Sequence, residues 1–421
     1  MKRKTIYYIV LNDFRALPYS AAIDIYKRNK CKGRSVKIIL SERYFSSDDY
    51  GSHLPRFYKK AKFWWLQLQY DVILTSANKS TKLTIQEESG VNSSLQSITF
   101  DSSASESSYP KLYETLRQSS IGAKEVKEFI FLTADEKSKV YVFNGRTAGS
   151  YPIVRGCFDK SIEVEFYEYS ENFRGYKLFP CAPHNTSQLG RAVSRFRKIC
   201  LVSAPSLNDR ACSWARRRLS NPYTNLYRES PDQTFDVVVF LGSDHEYTCL
   251  DEDITGCRYI GNYEMVRLVI EKYGKNLNVA VRCHPNQYLD KNHRKVLESV
   301  ELLCQENDVT FYPPNSEISS YDLIRNSVIT AVEFSSIAYD AVLLGKKVEL
   351  YNDLDLKYFL QSITLDQANN AEYVAHYVSE LMCLYTDLYF ERFELLTRAT
   401  CSFWTHVEWK LLKANNPKCL S

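Results

Sequence analysis

Two stretches of the chain decide its fold. Residues 279–286 read Val-Ala-Val-Arg-Cys-His-Pro-Asn, and residues 327–336 read Ser-Val-Ile-Thr-Ala-Val-Glu-Phe-Ser-Ser. Each stretch is a short apolar run that ends in polar residues, as a buried strand of a parallel sheet does. A helical pattern follows from Ile337 to Leu344, and the next strand begins at Lys347. This alternation of strands and helices predicts an α/β fold with a parallel sheet.

The ends of these two strands predict a phosphate site. Ligands of parallel α/β sheets bind at the carboxyl ends of the strands. Arg282 and His284 end the first predicted strand, and Ser335 and Ser336 open the helix after the second. A helix start offers backbone N–H groups and the positive end of the helix dipole. We therefore expect a nucleotide to bind here through its phosphate; the alternative interpretation is a capped helix and an ordinary loop histidine.

The composition is that of an ordinary globular protein. A chain of 421 residues can bury two full cores. The net charge of +4 is too small to indicate a nucleic-acid partner. The twelve cysteines include no Cys-x-x-Cys pair, so we expect reduced cysteines in a cytoplasmic protein, with no metal site and no cofactor.

Apolar segments are too short for a membrane span. No run reaches the roughly 18 apolar residues that a transmembrane helix requires. The longest aromatic-rich patch, Phe63–Leu68, falls well below that length. The basic helices expected within residues 186–232 could attract anionic lipid or a lipid-linked acceptor, although a solvated, salt-bridged helix face is the competing interpretation.

The pattern along the chain predicts two lobes and a helical connection. Alternating strands and helices extend over residues 1–185 and again over residues 233–370, with a basic helical linker at 186–232 and helices at 371–421. Residues 76–108 are rich in Ser, Thr and Asn, so we expect an exposed loop or hairpin there, with one strand at Ser97–Phe100.

Two further loops of the second lobe offer polar groups. Ser243 follows the predicted strand Phe235–Phe240 and either lines a ligand site or caps a helix. The loop Pro313–Tyr321 is placed to contact a base or ribose, or is simply a proline-rich turn followed by a helix cap. Its candidate binding residues are Glu317, Ser319 and Ser320.

The first lobe offers candidate acceptor-binding and catalytic residues. Asn144 and Arg146 follow one predicted strand, and Glu168 follows the next. Arg146 is suited to an acceptor carboxylate or phosphate. Glu168 is a candidate general base for an acceptor hydroxyl, and Asp13, after the first strand, is its rival. Solvated carboxylates and a plain Asn-Gly turn are the competing interpretation.

Several short elements occur together in a recognisable pattern. They are Arg282-Cys283-His284-Pro285-Asn286, the loop Pro313–Leu323, Ser335-Ser336, Gly345-Lys346-Lys347-Val348, the set Phe240, Ser243, Glu246 and Tyr247, and, in the first lobe, Phe143–Arg146 and Pro183-His184. The set resembles the bacterial capsule polysaccharide biosynthesis proteins, which are similar to GT-B glycosyltransferases. The resemblance covers roughly residues 140–352. Glu168-Tyr169-Ser170 stands where that family often has Glu-Arg-Gly, and Asp340-Ala341 where it often has Glu-Ala.

The resemblance implies a fold and an activity. The fold would be GT-B-like, with two Rossmann-like lobes facing each other across a cleft and residues 371–421 packing back on the first lobe. The second lobe would bind a nucleotide-sugar donor, a CMP-sugar or another nucleotide sugar, with Asp340 at the ribose and His284 stabilising the leaving phosphate. The first lobe would bind a growing glycan or lipid-linked glycan, and transfer would need no metal. Contact with the inner face of the plasma membrane would be peripheral.

Two alternatives stay open at this stage. A polyol-phosphate transferase of the teichoic-acid polymerase type has similar His-Pro and Ser-Ser elements and would use a CDP-polyol. A non-catalytic nucleotide- or glycan-binding subunit of a capsule assembly complex would bind nucleotide without transferring anything. Phosphodiester linkages in the product would distinguish the polyol-phosphate transferase from a glycosyltransferase. A binding subunit would show neither donor hydrolysis nor transfer.

Overall fold

The computed structural model describes two compact units of the chain. Among the described residues, the first unit covers those from 5 to 182 and the second those from 185 to 352. The described residues are 5–47, 54–76, 82–99, 104–169, 176–179, 181–182, 185, 229–242, 259–285, 287, 294–335 and 337–352. Most of the predicted linker and all of the predicted C-terminal helices lie outside them, as do Ser243 and Ser336.

The first unit is built on a six-stranded sheet in the order β3-β2-β1-β4-β5-β6. Strands β1 to β5 are parallel, and β6 runs antiparallel at the edge. The strands are β1 Tyr7–Val10, β2 Val36–Ser41, β3 Val72–Thr75, β4 Lys139–Phe143, β5 Glu163–Tyr169 and β6 Tyr176–Phe179. The helices are α1 Ala16–Cys31, α2 Arg56–Gln69, α3 Ile85–Thr99, α4 Pro110–Thr133 and α5 Tyr151–Asp159, with a 3-10 turn at Glu42–Phe45.

The exposed loop or hairpin predicted within residues 76–108, with its strand at Ser97–Phe100, is wrong, because Ile85–Thr99 form helix α3. Residues Ser97–Thr99 are helical and belong to α3, so the expected strand does not form. Val91 and Leu95, one helical turn apart, are fully buried against Leu116 of α4, and this packing outweighs the weak helix preference of the surrounding serines. Thr84 and Glu87 form a capping box in which Glu87 N donates to Thr84 Oγ1 at 3.2 Å and Thr84 N donates to Glu87 Oε2 at 2.9 Å.

The second unit is an all-parallel five-stranded sheet in the order β11-β10-β7-β8-β9. Its apolar strands are buried by helices, as in other parallel sheets. The strands are β7 Phe235–Phe240, β8 Val279–Arg282, β9 Thr310–Tyr312, β10 Ser327–Val332 and β11 Lys347–Leu350. The helices are α6 Asn262–Tyr273, α7 Arg294–Glu306, α8 Ser320–Arg325 and α9 Ile337–Leu343.

Both sheets share the strand order of a dinucleotide-binding fold. Counted from its own first strand, each sheet reads 3-2-1-4-5, with one more antiparallel strand at the edge of the first. The prediction of an α/β protein with two Rossmann-like lobes is confirmed. In such a sheet the chain reverses its winding direction between strands 1 and 4, and ligands bind at the carboxyl ends there. These switch points lie between β1 and β4 in the first unit and between β7 and β10 in the second.

Two findings concern the cysteines and the search for membrane-spanning helices. The cysteines among the described residues are free thiols, and all but Cys31 are buried. No helix in the described ranges has the length and apolar character that crossing a bilayer requires.

Candidate functional site

The switch point of the second unit is centred on Gly242, which follows β7. A Cβ atom at this position would lie 3.1 Å from the backbone oxygen of Phe334, which follows β10. The ends of β7 and β10 therefore approach closely because residue 242 has no side chain. Asn262, at the start of α6, fixes the turn, since its Nδ2 donates to Gly242 O at 3.0 Å and its Oδ1 accepts from Gly242 N at 3.1 Å.

Gln287 connects the His-Pro turn to this same glycine. Its Oε1 accepts from the backbone N of His284 at 2.8 Å, and its Nε2 donates to Gly242 O at 3.1 Å. The Gln287 side chain is buried. The position of His284 relative to the switch point is therefore set by hydrogen bonds from a buried amide.

His284 is half-buried at the end of β8. Burial lowers its pKa below the ordinary value of 6.5, and the neighbouring Arg282 guanidinium lowers the pKa further. The imidazole is therefore mainly neutral near pH 7, with one nitrogen that donates a hydrogen bond and one that accepts.

Arg282 lies beneath the surface, with a side chain that is almost fully buried. Its Nη1 donates to Pro313 O at 2.5 Å and its Nη2 to Ser316 O at 3.2 Å. The guanidinium thus holds the loop after β9 against the end of β8. Prediction placed Arg282 among the donor-binding residues, and in the structure these two bonds give it a role in positioning the loop.

The loop after β9 places its three predicted residues differently. Glu317 is exposed, and Ser320, the first residue of α8, is half-buried. Ser319 is buried, and its Oγ accepts from Asp322 N at 3.3 Å, which confirms the predicted cap of α8. The side chain of Glu317 therefore lies at the surface, whereas the Ser319 hydroxyl caps helix α8.

The end of β10 carries a buried carboxylate that the sequence analysis missed. Glu333 accepts from Ile260 N at 2.5 Å, from Gly261 N at 3.2 Å and from Asn352 Nδ2 at 3.2 Å. Gly261 adopts a left-handed φ of 92°, so the carboxylate fixes a turn that favours glycine. Glu333 thereby attaches the entry of α6 to the end of β10.

Two predicted donor residues follow Glu333. Ser335 is half-buried, and its Oγ accepts from Ile337 N at 3.4 Å at the start of α9. Asp340 lies one turn further along α9 and is buried. Ser335 therefore stands at the carboxyl edge of the sheet, and Asp340 is buried in the first turn of α9.

The switch point of the first unit holds Asp13, one of the two predicted bases. Its side chain is buried and accepts from Arg15 three times: from the backbone N at 2.9 Å, from Nε at 2.8 Å and from Nη2 at 2.5 Å. The loop after β1 is therefore closed by an ion pair between residues two apart. These bonds occupy both oxygens of the Asp13 carboxylate.

Glu168 and Asn144 stand together at the ends of β5 and β4. Asn144 Nδ2 donates to Glu168 Oε2 in a short hydrogen bond, and Asn144 N donates to Tyr167 O at 3.0 Å. Asn144 and Gly145 adopt left-handed φ values of 59° and 89°, and a Cβ at Gly145 would lie 2.5 Å from the Phe166 ring. The predicted Asn-Gly turn therefore forms, in a strained conformation of the kind found at functional sites.

Tyr167 shows that the two carboxylates share one neighbourhood. Its hydroxyl donates to Val10 O at the end of β1 at 3.1 Å. Burial raises the pKa of Tyr167, and the charges of Asp13 and Glu168 raise the pKa further. Asp13, Asn144 and Glu168 thus lie at one edge of the sheet. Arg146, half-buried, follows directly, and its backbone N donates to Asn144 Oδ1 at 3.4 Å.

The missed residues Asn262, Gln287 and Glu333 share a property. Each is a buried polar side chain that bonds backbone groups of a different element. A Glu at the end of an apolar strand and an Asn at a helix start were visible in the sequence, but their partners depend on the strand order. No group of three or more His, Cys, Asp or Glu side chains that could hold a metal ion occurs in the parts of the chain that the structure describes.

No protein-family model matches the sequence, and no curated protein does. Among solved structures, the chain is similar to the beta Kdo 2,7 transferase KpsC of Thermosulfurimonas dismutans, with 17% identity, coverage of 69% of this chain and 89% of that one, and a TM-score of 0.42. It is also similar to the UDP-GlcNAc 2-epimerase of Neisseria meningitidis bound to UDP-GlcNAc, with 10% identity, coverage of 97% and 99%, and a TM-score of 0.26.

A third similar structure is the wall teichoic acid polymerase TagF, with 11% identity, coverage of 99% of this chain and 90% of that one, and a TM-score of 0.22. Because the identities and TM-scores are low, the proposed function rests on the residues of this chain.

Proposed function

We propose that the protein is a glycosyltransferase that moves a sugar from a nucleotide-sugar donor to a bacterial surface glycan, without a metal ion. The observation that carries the proposal is the placement of His284 and Ser335 beside Gly242, at the ends of three adjacent strands. Gln287 ties the turn of His284 to Gly242, and Gly242 packs against the backbone that leads to Ser335. An imidazole, a hydroxyl and a close-approach glycine at a switch point suit a nucleotide phosphate.

The donor site would act by stabilising the departing phosphate. The neutral imidazole of His284 has one N–H group, which would donate a hydrogen bond to a phosphate oxygen. Ser335 and, outside the described residues, Ser336 and Ser243 would supply further hydroxyl donors. Arg282 is assigned to holding the loop in which Glu317 and Ser320 face the donor, and Asp340 to the ribose side.

The acceptor site would use Glu168 as the general base. Asn144 orients one oxygen of the Glu168 carboxylate, and the carboxylate would accept the proton of an acceptor hydroxyl. Asp13 is the weaker candidate because Arg15 donates to both of its oxygens. Arg146, directly after the strained turn, is suited to an anionic group of the acceptor.

The larger organisation is part of the same proposal. The first lobe, residues 1–185, would bind a glycan or lipid-linked glycan, and the second lobe, residues 233–370, the donor. Residues 186–232 would link them and residues 371–421 would brace the first lobe. The protein would work in the cytoplasm, in peripheral contact with the inner face of the plasma membrane.

A donor-turnover assay tests the proposal. Purified protein is incubated with CMP-, UDP-, GDP- and dTDP-sugars and with CDP-glycerol, and nucleotide release is measured with and without a lipid-linked glycan extract. We expect release from one sugar nucleotide, and loss of it in His284→Ala but not in Leu132→Ser, an exposed position on α4. Phosphodiester products from CDP-glycerol would instead identify a polyol-phosphate transferase. Unchanged turnover in His284→Ala would overturn the assignment.

A further inference from the structure

Helix α2 presents large apolar side chains to solvent. Phe57 is 69% exposed, Trp64 63% and Leu68 85%. They follow one another at spacings of seven and four residues, so they form one stripe along the helix. Single exposed apolar residues are common, but three large ones on one face of a helix indicate a contact surface.

The opposite face of α2 buries two lysines. Lys59 Nζ donates to Ser47 O at 2.6 Å, and Lys62 Nζ donates to Phe14 O at 2.5 Å. Lys62 also lies 4.7 Å above the centre of the Tyr19 ring. Leu66 is fully buried on the same face. The helix is therefore held against the first unit by buried apolar side chains and two inward ammonium groups, with its apolar stripe outward.

The charge of the helix has one sign. α2 contains four basic residues and no carboxylate. Arg56 is exposed and Lys60 half-buried beside the apolar stripe. The first acid after the helix, Asp71, is already paired with Lys37, with Nζ 3.6 Å from Oδ2. The outer face of α2 is thus apolar at its centre and positive at its edge.

We propose that this face of α2 is a membrane-docking surface that binds the interface of an anionic phospholipid bilayer. A helix with Trp, Phe and Leu on one face and cations beside them lies in the plane of the bilayer, with the apolar groups among the lipid chains and the cations at the phosphates. Its 14 residues span about 21 Å, enough for several lipids. The inference does not depend on the proposed transferase activity.

Lipid explains this surface better than a second copy of the chain does. A symmetric dimer places the same patch of each copy against the other. The basic residues of both α2 helices would then lie in one interface without a carboxylate on either helix to compensate. Anionic headgroups supply the missing negative charge.

Cosedimentation with vesicles tests the proposal on the full-length protein. We expect binding to vesicles that contain phosphatidylglycerol, and little binding to pure phosphatidylcholine. The double variant Trp64→Ser, Leu68→Ser should bind at least about tenfold more weakly because it loses two inserted side chains. Arg56→Gln with Lys60→Gln should reduce binding by about fivefold per charge removed. Leu132→Ser, which removes an apolar side chain that is 76% exposed on α4, should bind like the wild type.

Thermal unfolding and molar mass complete the test. All four substituted positions lie on the outer face of α2, so the variants should keep the melting temperature of the wild type, and any shift on adding nucleotide should be unchanged. Equal vesicle binding by wild type and the Trp64/Leu68 variant would overturn the proposal. So would a wild-type dimer that this variant dissociates, since the stripe would then be a contact between two copies.

Discussion

The two Rossmann-like sheets place polar side chains at the same topological position but with different chemical character. At the carboxyl edge of the first sheet stand the carboxylates of Asp13, at the switch point, and Glu168, on β5. At that of the second stand Gly242, at the switch point and held by buried amides, and the half-buried imidazole of His284, at the end of β8. The first edge can accept a proton and the second can donate hydrogen bonds to an anion, so one strand order supports two complementary tasks.

The two edges also differ in how they are made rigid. In the first unit the backbone itself is strained, with left-handed φ values at Asn144 and Gly145. In the second, Asn262, Gln287 and Glu333 hold the turns through hydrogen bonds between elements. Substitutions should therefore act through sterics at the first edge and through lost polar contacts at the second.

The largest expected effect is on the rate of transfer, and it should leave nucleotide binding unchanged. Glu168→Gln should lower the rate of transfer by about 10²–10⁴-fold, the usual contribution of a general base. Nucleotide binding should be unaffected, because Glu168 does not belong to the unit that carries the proposed donor site. Rates are measured at saturating donor and binding by calorimetry. Asp13→Asn serves as the matched comparison; a larger rate loss there than in Glu168→Gln would make Asp13 the base.

The two switch-point glycines test the difference in rigidity. Gly145→Ala should reduce the free energy of unfolding by about 2–4 kcal/mol, because a side chain is strained at φ 89° and its Cβ would lie 2.5 Å from the Phe166 ring. Gly242→Ala should cost about 1 kcal/mol, since its Cβ would lie 3.1 Å from a single backbone oxygen. Urea unfolding measures both variants. Equal losses would contradict the contrast between the two edges.

Glu333 tests the role of polar contacts at the second edge. Glu333→Gln replaces one of the two carboxylate oxygens by an NH2 group, which cannot accept a hydrogen bond. The side chain can then no longer accept from Ile260 N and from Gly261 N through separate oxygens. We expect a loss of about 1–3 kcal/mol in the free energy of unfolding. Glu317→Gln, at an exposed position in the same unit, is the control and should change nothing. A Glu333 variant as stable as this control would show that the carboxylate does not stabilise the fold.

The smallest effect concerns acid stability. Because the folded-state pKa of His284 is lowered, the unfolded chain binds a proton more readily than the folded chain does. The contribution of the neutral imidazole is complete above the ordinary value of 6.5 and is lost as pH falls through the folded-state pKa. Between about pH 7 and about pH 5.5, His284→Gln should therefore lose less stability than the wild type. Parallel pH dependence of the two proteins would show that His284 carries no such contribution.

The sequence predicted the elements of this fold more readily than their contacts. Phe235–Phe240 and Ser327–Val332 form the strands that their apolar runs indicate, because both faces of a parallel strand are buried. Helix α3 was missed although Thr84 and Glu87 formed a capping box, since its many serines favoured a loop. Gln287 and Glu333 could not be assigned because their partners come from elements that are distant in sequence and meet only through the strand order.

The central claim is that the end of β8 and the switch point beside it form a nucleotide site, and thermal shift tests it most directly. The wild type and His284→Ala are melted with CMP, CDP, UDP, GDP and dTDP; a ligand present at 100 times its dissociation constant stabilises a protein by about 2.7 kcal/mol. We predict that one nucleotide raises the melting temperature of the wild type and leaves that of the variant unchanged. An equal shift in both proteins, or no shift with any nucleotide, would contradict the claim.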